Sequence, residues 1–265
     1  MEKQELQDRI AAFPHWDYVF QFEDGVRTPP PDAARVNRHE QRRRYFFEPL
    51  LALSHGSLAG RRVLDLGCGA GFWALEAIEA GAESVLGIDV KREYLEQAEL
   101  VFAAKGIDPS RYSFQLGDVL THDLGEGFDV VLCLGVLDQV SKPVELFERM
   151  AATAAELILI DTAISRARAS IFEVSHRPNV GERPGGGLVL IPSRDALADI
   201  ARGYGFRSVP LSLDVESWNG MDDYRRRRRL AFLCSRTVDL GVLPTEGPPS
   251  RVPWWIRDPR ALSGA

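Results

Sequence analysis

The chain has 265 residues, of which 45% are hydrophobic and 26% are charged, and its formal net charge at pH 7 is −6. This composition is ordinary for a soluble protein, and the length allows one α/β domain with an appended segment or cap. The negative charge argues against a broad electrostatic grip on a polynucleotide, although local basic clusters remain. An apolar run of about 18 residues and a secretory signal pattern are both missing from the sequence, so we expect a cytoplasmic protein that does not enter a membrane.

Residues 1–58 precede the predicted core and are expected to form an aromatic and helical cap. In the segment 13–28, aromatic side chains alternate with polar ones, and Asp24-Gly25 is typical of a turn. We consider Trp16, Tyr18 and Thr28 as candidate lid or substrate-contacting residues. Two interpretations remain open, a lid that excludes water from a site and an edge strand that packs against the main domain.

Residues 59–240 alternate short apolar runs with helical patterns, which predicts a parallel sheet with helices on both faces. Predicted strands lie near 62–66, 84–88, 112–116, 128–134, 156–161, 206–213 and 230–234. Predicted helices lie near 71–81, 91–105, 143–154 and 193–203. The predicted core is therefore an α/β sheet of seven strands.

The first strand leads into a glycine-rich turn, and residues 63–72 read V-L-D-L-G-C-G-A-G-F. Alternate glycines let the backbone turn tightly and let a bulky ligand approach, while Asp65 can bind a positively charged group. Asp89 ends the second strand, where a carboxylate can hold the hydroxyls of a ribose. The dinucleotide fingerprint would place Phe72 where a very small residue is needed, so the pattern favours a nucleoside cofactor without a pyrophosphate.

This glycine run, followed by Gly87-Ile88-Asp89 and Gly117-Asp118, resembles the class I S-adenosylmethionine-dependent methyltransferases over roughly residues 60 to 160. The resemblance implies a seven-stranded Rossmann-like methyltransferase sheet whose last strand is antiparallel and inserted between the fifth and sixth. It also implies S-adenosyl-L-methionine as the cofactor and S-adenosyl-L-homocysteine as the product. The cofactor-binding residues that it implies are Asp65, Gly67, Cys68, Gly69, Gly71, Asp89, Val90, Gly117, Asp118, Val119, Leu134 and Gly135.

The same resemblance implies a role for each part of the site. Asp65 and the glycine turn would hold the methionine part, and Asp89 would take the ribose hydroxyls. Asp118 would face the adenine amino group, and its alternative is to cap the turn before Val119. Val90 and Val119 would cover the two faces of the adenine ring.

Further patterns are similar to the subgroup that contains the bacterial wobble-uridine carboxymethyltransferase and many small-molecule methyltransferases. They are D-G-V-R-T at 24–28, L-G-V-L at 134–137, and I-P-S at 191–193 followed by Leu197 and Gly205-Phe206. The resemblance places Leu134 and Gly135 near the methionine amine. Where the subgroup commonly reads Tyr-His, this chain has Asp138-Gln139, which weakens the carry-over of the transfer RNA reaction and leaves the substrate class open.

The connection 162–192 is long enough to predict a functional loop or a partly helical segment, and its glycines at 185–187 could hinge a lid. His176 is a candidate base because a histidine ordinarily titrates near pH 6.5. Asp138 is the rival candidate, and Gln139 is a candidate substrate contact. The alternatives are a surface or structural role for His176 and a turn cap for Asp138.

Two arginine clusters, 42–44 and 225–229, could bind a phosphate or a carboxylate, or could form solvated helix faces. The three cysteines have no metal-ligand spacing, so we expect reduced thiols and no metal site. The Pro- and Trp-containing tail, 241–265, is expected to pack against the body or against a second subunit of a homodimer.

The leading prediction is methyl transfer to an oxygen or nitrogen of a small-molecule metabolite in a biosynthetic pathway. The first alternative is a methyltransferase or carboxymethyltransferase that modifies transfer RNA. The second alternative is a cofactor-binding protein without catalysis. The expected partner is a small-molecule acceptor, and the acidic total disfavours a nucleic acid without excluding one.

Overall fold

The computed structural model describes residues 1–176 and 187–243. It contains two sheets, whose strands are β1 Arg62–Leu66, β2 Ser84–Asp89, β3 Tyr112–Leu116, β4 Val130–Leu134, β5 Leu157–Ala163, β6 Phe172–His176, β7 Leu188–Pro192, β8 Arg207–Pro210 and β9 Arg229–Ser235. The main sheet has seven strands in the order β3-β2-β1-β4-β5-β9-β8. A separate hairpin pairs β6 with β7.

The strands β1 to β5 run parallel, and β9 is antiparallel to both β5 and β8. The predicted insertion of an antiparallel last strand is therefore confirmed. Leu66 of β1 lies in register with Ile88 of β2 and Cys133 of β4, so the carboxyl ends of these strands meet at one edge. The strand order reverses between β1 and β4, and sheets of this kind bind ligands in the crevice at such a point.

Helices lie around the main sheet and cap it. They are α1 Lys3–Ala11, α2 Ala33–Leu53, α3 Phe72–Glu79, α4 Arg92–Ala104, α5 Pro143–Ala152, α6 Arg194–Gly203 and α7 Asp222–Arg225. Every residue of β4 and β5 is buried, as expected for central strands covered on both faces. The Ser193 side chain accepts a hydrogen bond from the Ala196 amide at 3.1 Å and so begins α6. Among the described residues, no helix is both long enough and apolar enough to span a bilayer.

The segment 13–28 differs from the predicted edge strand. It makes one isolated bridge, between Gln21 and Arg27, around a short 3₁₀ turn. The buried Thr28 hydroxyl donates to the Tyr18 carbonyl and accepts from the Phe20 amide, both at 2.9 Å. These bonds replace a strand ladder and pack the segment against the body.

Two other predicted regions differ in detail. The strand predicted over 206–213 covers only Arg207–Pro210, and one more hydrogen bond to β9 follows it, from the Leu211 amide to the Ala231 carbonyl at 2.9 Å. The connection 162–192 contains the β6–β7 hairpin, which was not predicted. The glycines at 185 and 186 and most of the predicted tail, from residue 244 onward, lie outside the described residues.

Candidate cofactor site

The glycine turn between β1 and α3 has a backbone that only glycine adopts readily. Gly67, Gly69 and Gly71 have φ angles of 66°, 54° and 77°, all in the left-handed region. A Cβ on Gly67 would lie 2.5 Å from Val136 Cγ2, whereas one on Gly69 would meet nothing within 4 Å. The turn is therefore packed against the loop after β4 at its first glycine and open at its second.

Asp89, at the end of β2, ties this turn in place. One of its carboxylate oxygens accepts from the Gly69 amide at 3.0 Å, and the other accepts from the Lys91 amide at 2.9 Å. A carboxylate oxygen can accept more than one hydrogen bond, so both oxygens keep capacity for a hydroxyl group. Asp89 is thus suited to the ribose role that the resemblance implies.

Asp65, on β1, is 1% exposed. Within the described residues, neither of its carboxylate oxygens has a hydrogen-bond partner. Burial, followed by the charge of Asp89, raises the pKa of Asp65 well above its usual range, and the nearby Ala74 amide opposes the shift without reaching hydrogen-bond geometry. A buried carboxylate without partners is costly, so this position fits a cationic group of a ligand such as an ammonium.

The side chains predicted to contact the adenine differ in their exposure and in their hydrogen bonds. Asp118 accepts from the Leu120 amide at 3.0 Å, which is the turn-capping alternative. Val90 is 44% exposed, whereas Val119 is buried in the core. A side chain on Gly117 would collide with His122, so this glycine is needed for close packing. The adenine contacts of Asp118 and both valines stay predictions.

The loop after β4 forms the opposite wall of the crevice. Gly135 has a φ of 86°, and its amide donates to the Asp161 carbonyl at 2.8 Å. A Cβ on Gly135 would lie 3.2 Å from Arg229 Nη2. The exposed Gln139 donates its side-chain amide to the Gly135 carbonyl, so the predicted substrate contact is also a brace for this loop.

A buried group of charges lies behind this wall, and we call it the Asp161 cluster. Asp161 accepts from Arg42 and Arg229, both at 2.9 Å, and from the Tyr224 hydroxyl at 2.7 Å. Arg229 also pairs with Asp138, at 3.3 and 3.4 Å. Burial would raise the pKa of Asp161, but Arg229 and Arg42 outweigh it and hold that pKa below its usual value. Asp138 is therefore part of an ion-pair network, which competes with its predicted role as a base.

Helix α2 brings two further side chains to the crevice: His39, which sequence reasoning missed, and Arg42, which was predicted only as part of the cluster 42–44. Both ring nitrogens of His39 and the Nε of Arg42 are buried without a hydrogen-bond partner among the described residues. The His39 ring lies 4.1 Å from Tyr18, which stacks on Phe72 at 4.6 Å. Burial, then Arg42 and Arg38, lowers the pKa of His39 to about 3, so its imidazole is neutral. The spacing of His39 and Arg42, three residues apart on one helix face, was the available sequence signal.

The other predicted residues lie apart from this crevice or inside the core. Trp16 is 4% exposed and donates its indole N–H to the Ile10 carbonyl at 3.2 Å. Cys68 and the other two cysteines, Cys133 and Cys234, are buried free thiols. His176 is exposed at the end of β6, opposite Leu188. Of the three predicted lid residues, Tyr18 lies beside the crevice, whereas Trp16 and Thr28 are buried and hydrogen-bonded within the N-terminal segment.

The arginine clusters are divided among several partners. Arg42 and Arg229 enter the Asp161 cluster, whereas Arg43 pairs with Glu76, and Arg44 pairs with Glu48 and Glu216. Residues 225–228 are exposed, in and after α7. Neither run therefore presents all of its charges to a single ligand.

Residues 57–171 match a family model described as a methyltransferase domain. The chain carries a methyltransferase domain. It extends from before β1 to the residue before β6, and so includes the glycine turn, Asp65 and Asp89. The predicted resemblance to methyltransferases is confirmed over these residues.

Curated relatives of this methyltransferase domain fall into both predicted substrate classes. A ubiquinone biosynthesis O-methyltransferase of Neisseria meningitidis serogroup A is 36% identical over 89 residues, which are 34% of this chain and 37% of the relative. A tRNA U34 carboxymethyltransferase of Pseudomonas aeruginosa is 40% identical over 94 residues, or 34% of this chain and 28% of the relative. Each match thus spans well under half of the relative's length.

Solved structures resemble a larger part of the chain. The N-terminal domain of EvdMO1, crystallised in the presence of SAH and D-fucose, has a TM-score of 0.65 and 22% identity over 88% of this chain and 96% of that one. Magnesium protoporphyrin IX methyltransferase from Synechocystis, with bound SAM, has a TM-score of 0.56 and 17% identity over 79% and 86% of the two chains. At these identities the likeness shows a shared fold.

Proposed function

We propose that this chain is an S-adenosylmethionine-dependent methyltransferase that acts on an oxygen or nitrogen of a small-molecule metabolite. The observation that carries the proposal is Asp65, a buried carboxylate without a partner among the described residues, beside a glycine turn whose middle glycine is open. The methyltransferase domain match and the O-methyltransferase relative support it.

The polar groups of the crevice fit this cofactor in kind. We propose that Asp65 binds the methionine ammonium and that the Arg42 Nε donates to the methionine carboxylate. Asp89 accepts from the ribose hydroxyls, and Val90 covers one face of the adenine. When bound, the cofactor supplies a methyl group on a positively charged sulfur that a nucleophilic oxygen or nitrogen can take.

On the acceptor side, we propose that catalysis depends mainly on orientation. Holding an acceptor atom in near-attack geometry can supply most of the rate in such a displacement. His176 remains the proposed base for a hydroxyl acceptor, because β7 of its hairpin packs against the turn at 137–139. Asp138 is engaged by Arg229, so we propose it as a base only in second place.

A small acceptor is favoured over a polynucleotide by how the arginines are paired. Arg42, Arg43 and Arg44 all meet carboxylates of the same chain, and a phosphate backbone would have to displace these partners. The exposed arginines at 225–228 are the feature that favours the transfer RNA alternative, together with the carboxymethyltransferase relative.

The test is to incubate the protein with S-adenosylmethionine labelled on its methyl group, and with either a small-molecule extract or bulk transfer RNA. We expect label in the small-molecule fraction, and none with an Asp65→Ala variant that remains folded by circular dichroism. Label in the RNA fraction would select the alternative. Cofactor binding without transfer to either pool would favour a non-catalytic protein.

A further inference from the structure

The carboxyl edge of the main sheet carries a group of exposed arginines that the proposed cofactor contacts do not use. They lie on two segments, the one after β5 and the one that joins α7 to β9. We call them the arginine rim, and its members are Arg166, Arg168, Arg225, Arg226, Arg227 and Arg228. The chain as a whole has a net charge of −6, so this concentration of positive charge is a local exception.

The two segments of the rim are joined where β5 meets β9. Ala163, the last residue of β5, pairs with Arg229. The next amide, that of Ile164, donates to the Arg228 carbonyl at 2.7 Å. Arg166 follows Ile164 by two residues, so two chain steps of about 3.8 Å and one interstrand step of about 5.5 Å separate it from Arg228. Side chains from both segments can therefore reach one anion.

The rim adjoins the proposed crevice on the side away from the glycine turn. Leu134 ends β4 in register with Asp161, so β5 continues for two further residues beyond the end of β4. Arg229, the residue after the rim, reaches the loop after β4, where its Nη2 would lie 3.2 Å from a Cβ on Gly135. Strands β5 and β9 are two and three places from β1, or about 10 and 14 Å. The rim is therefore beside the crevice but outside the proposed cofactor contacts.

The fold leaves most of the rim's charge without a counter-charge. The rim arginines other than Arg227 form no ion pair with a described residue. Of the two acidic residues that begin α7, Asp223 is bound by Arg38 through two bonds of 2.7 Å, which leaves the exposed Asp222. Like charges this close repel one another, so a bound anion would relieve the repulsion. An excess of this size suits a group with two or more negative charges better than a single carboxylate.

We propose that the acceptor carries a phosphate or pyrophosphate group, which the arginine rim binds while the reacting oxygen or nitrogen lies in the crevice. This inference rests on the proposed methyltransferase function and names the class of its small-molecule acceptor. Guanidinium groups bind phosphate oxygens through paired N–H groups, and a phosphate ester offers about two negative charges on three accepting oxygens. The phosphate takes no part in methyl transfer and only holds the acceptor in place.

The extent of the rim favours a small phosphorylated molecule over a polynucleotide. Strong binding of a nucleic acid commonly uses about 6–10 phosphate contacts along a continuous basic track. The rim covers only the ends of two adjacent segments, and the other arginine cluster, 42–44, is engaged by carboxylates of the same chain. One or two phosphates therefore match its size.

The anion site is tested by calorimetric titration of the full chain with inorganic pyrophosphate at low ionic strength. We expect Arg226→Gln combined with Arg228→Gln to weaken binding by about tenfold or more, because two charge-assisted donors are lost. The matched control is Arg202→Gln with Arg207→Gln, which removes the same charge from exposed positions near the opposite end of β9. Both double variants should bind S-adenosylmethionine as wild type does.

The acceptor is tested in the labelled-methyl assay. The small-molecule extract is first treated with alkaline phosphatase and phosphodiesterase, and both enzymes are removed before the reaction. We expect the treated extract to lose most of the label that a mock-treated extract accepts.

Each outcome of these two tests decides the matter in one direction. Unchanged labelling after treatment would overturn this inference and leave the proposed function standing. So would pyrophosphate binding that is absent in wild type or equal in the Arg226→Gln/Arg228→Gln variant. Label in the RNA pool would overturn the inference in favour of transfer RNA. Label in neither pool would overturn the proposed function and, with it, the acceptor.

Discussion

At the scale of single residues, two buried carboxylates on neighbouring strands have different surroundings. Asp89 is tied by two backbone amides, whereas Asp65 has no hydrogen-bond partner among the described residues. One carboxylate is thus satisfied by the fold, and the other is left for a ligand. An isolated buried charge lowers stability until a counter-charge arrives.

We therefore expect Asp65→Asn to stabilise the cofactor-free protein while weakening cofactor binding. The pKa of Asp65 is raised, so its stabilising contribution is present at low pH and is lost as the pH rises through that pKa. Relief of about 1 kcal/mol would raise the melting temperature by about 2–4 °C. Affinity for S-adenosylmethionine should fall by about tenfold or more. Thermal melts and calorimetry measure these effects, with Asp214→Asn as the control, and a lower melting temperature with unchanged affinity would contradict the assignment.

His39 gives a second prediction at this scale, in the opposite pH direction. Its pKa is lowered to about 3, below the ordinary value, so the unfolded chain binds a proton that the folded chain does not. Its stabilising contribution is present at neutral pH and is lost as the pH falls below about 6.5. Between about pH 6 and pH 4, we expect His39→Phe to reduce the acid loss of stability by about 1 kcal/mol per pH unit. Urea unfolding at several pH values tests this, and an unchanged slope in the folded His39→Phe variant would contradict it.

At the scale of elements, the glycine turn has two positions with the same backbone strain but different neighbours. The Val136 side chain occupies the space beside Gly67, whereas the space beside Gly69 is open toward the crevice. We expect Gly67→Ala to lower the free energy of unfolding by about 2–3 kcal/mol through strain and overpacking. Val136→Ala in the same chain should recover part of that loss. Gly69→Ala should cost about 1 kcal/mol in stability and should weaken cofactor binding more than Gly67→Ala does.

Urea unfolding and cofactor titration of the three variants separate these effects. An equal loss of stability at Gly67 and Gly69, or a Val136→Ala change that fails to relieve Gly67→Ala, would show that the turn is not packed as described. A Gly69→Ala variant with wild-type cofactor affinity would place the ligand elsewhere.

At the scale of the whole molecule, the methyltransferase domain match and the folded unit have different limits. The match ends at residue 171, but β9, which covers β5 along its full length, comes from residues 229–235. A fragment of residues 57–171 would expose the edge of β5. It would also leave the Asp161 carboxylate without its partner Arg229. We expect this fragment to lack a cooperative unfolding transition by circular dichroism, whereas the full chain has one. A fragment that melts cooperatively would show that β9 is dispensable.

Sequence predicted those features of this molecule that depend on residues close together in the chain. The strands and helices of the sheet follow from apolar periodicity, and the glycine turn with Asp65 and Asp89 is a motif contained within about 25 residues. The β6–β7 hairpin escaped prediction because Val174 and Leu188 lie on an exposed face, where the pattern of a buried strand is lost.

The missed parts of the site depend on long-range packing. His39 reaches the crevice only because α2 packs against the start of α3, where its ring lies 6.1 Å from that of Phe72. Helical periodicity cannot say which neighbour a helix face meets. Asp138 and Arg229 are 91 residues apart in the chain and pair because β9 is inserted beside β5. The motif predicts Asp138 beside the crevice, but its partner, and hence its chemistry, depended on that insertion.

The place of β9 also has a consequence for how the protein is made. The ribosome releases β1 to β5 with the glycine turn, Asp65 and Asp161 long before it releases Arg229. During that interval the nascent sheet has an open edge at β5, where another strand could pair in error. The chain can therefore complete its central sheet and balance its buried charges only after β9 has been synthesised, which makes the pairing of β9 with β5 the step that commits the sheet to its native form.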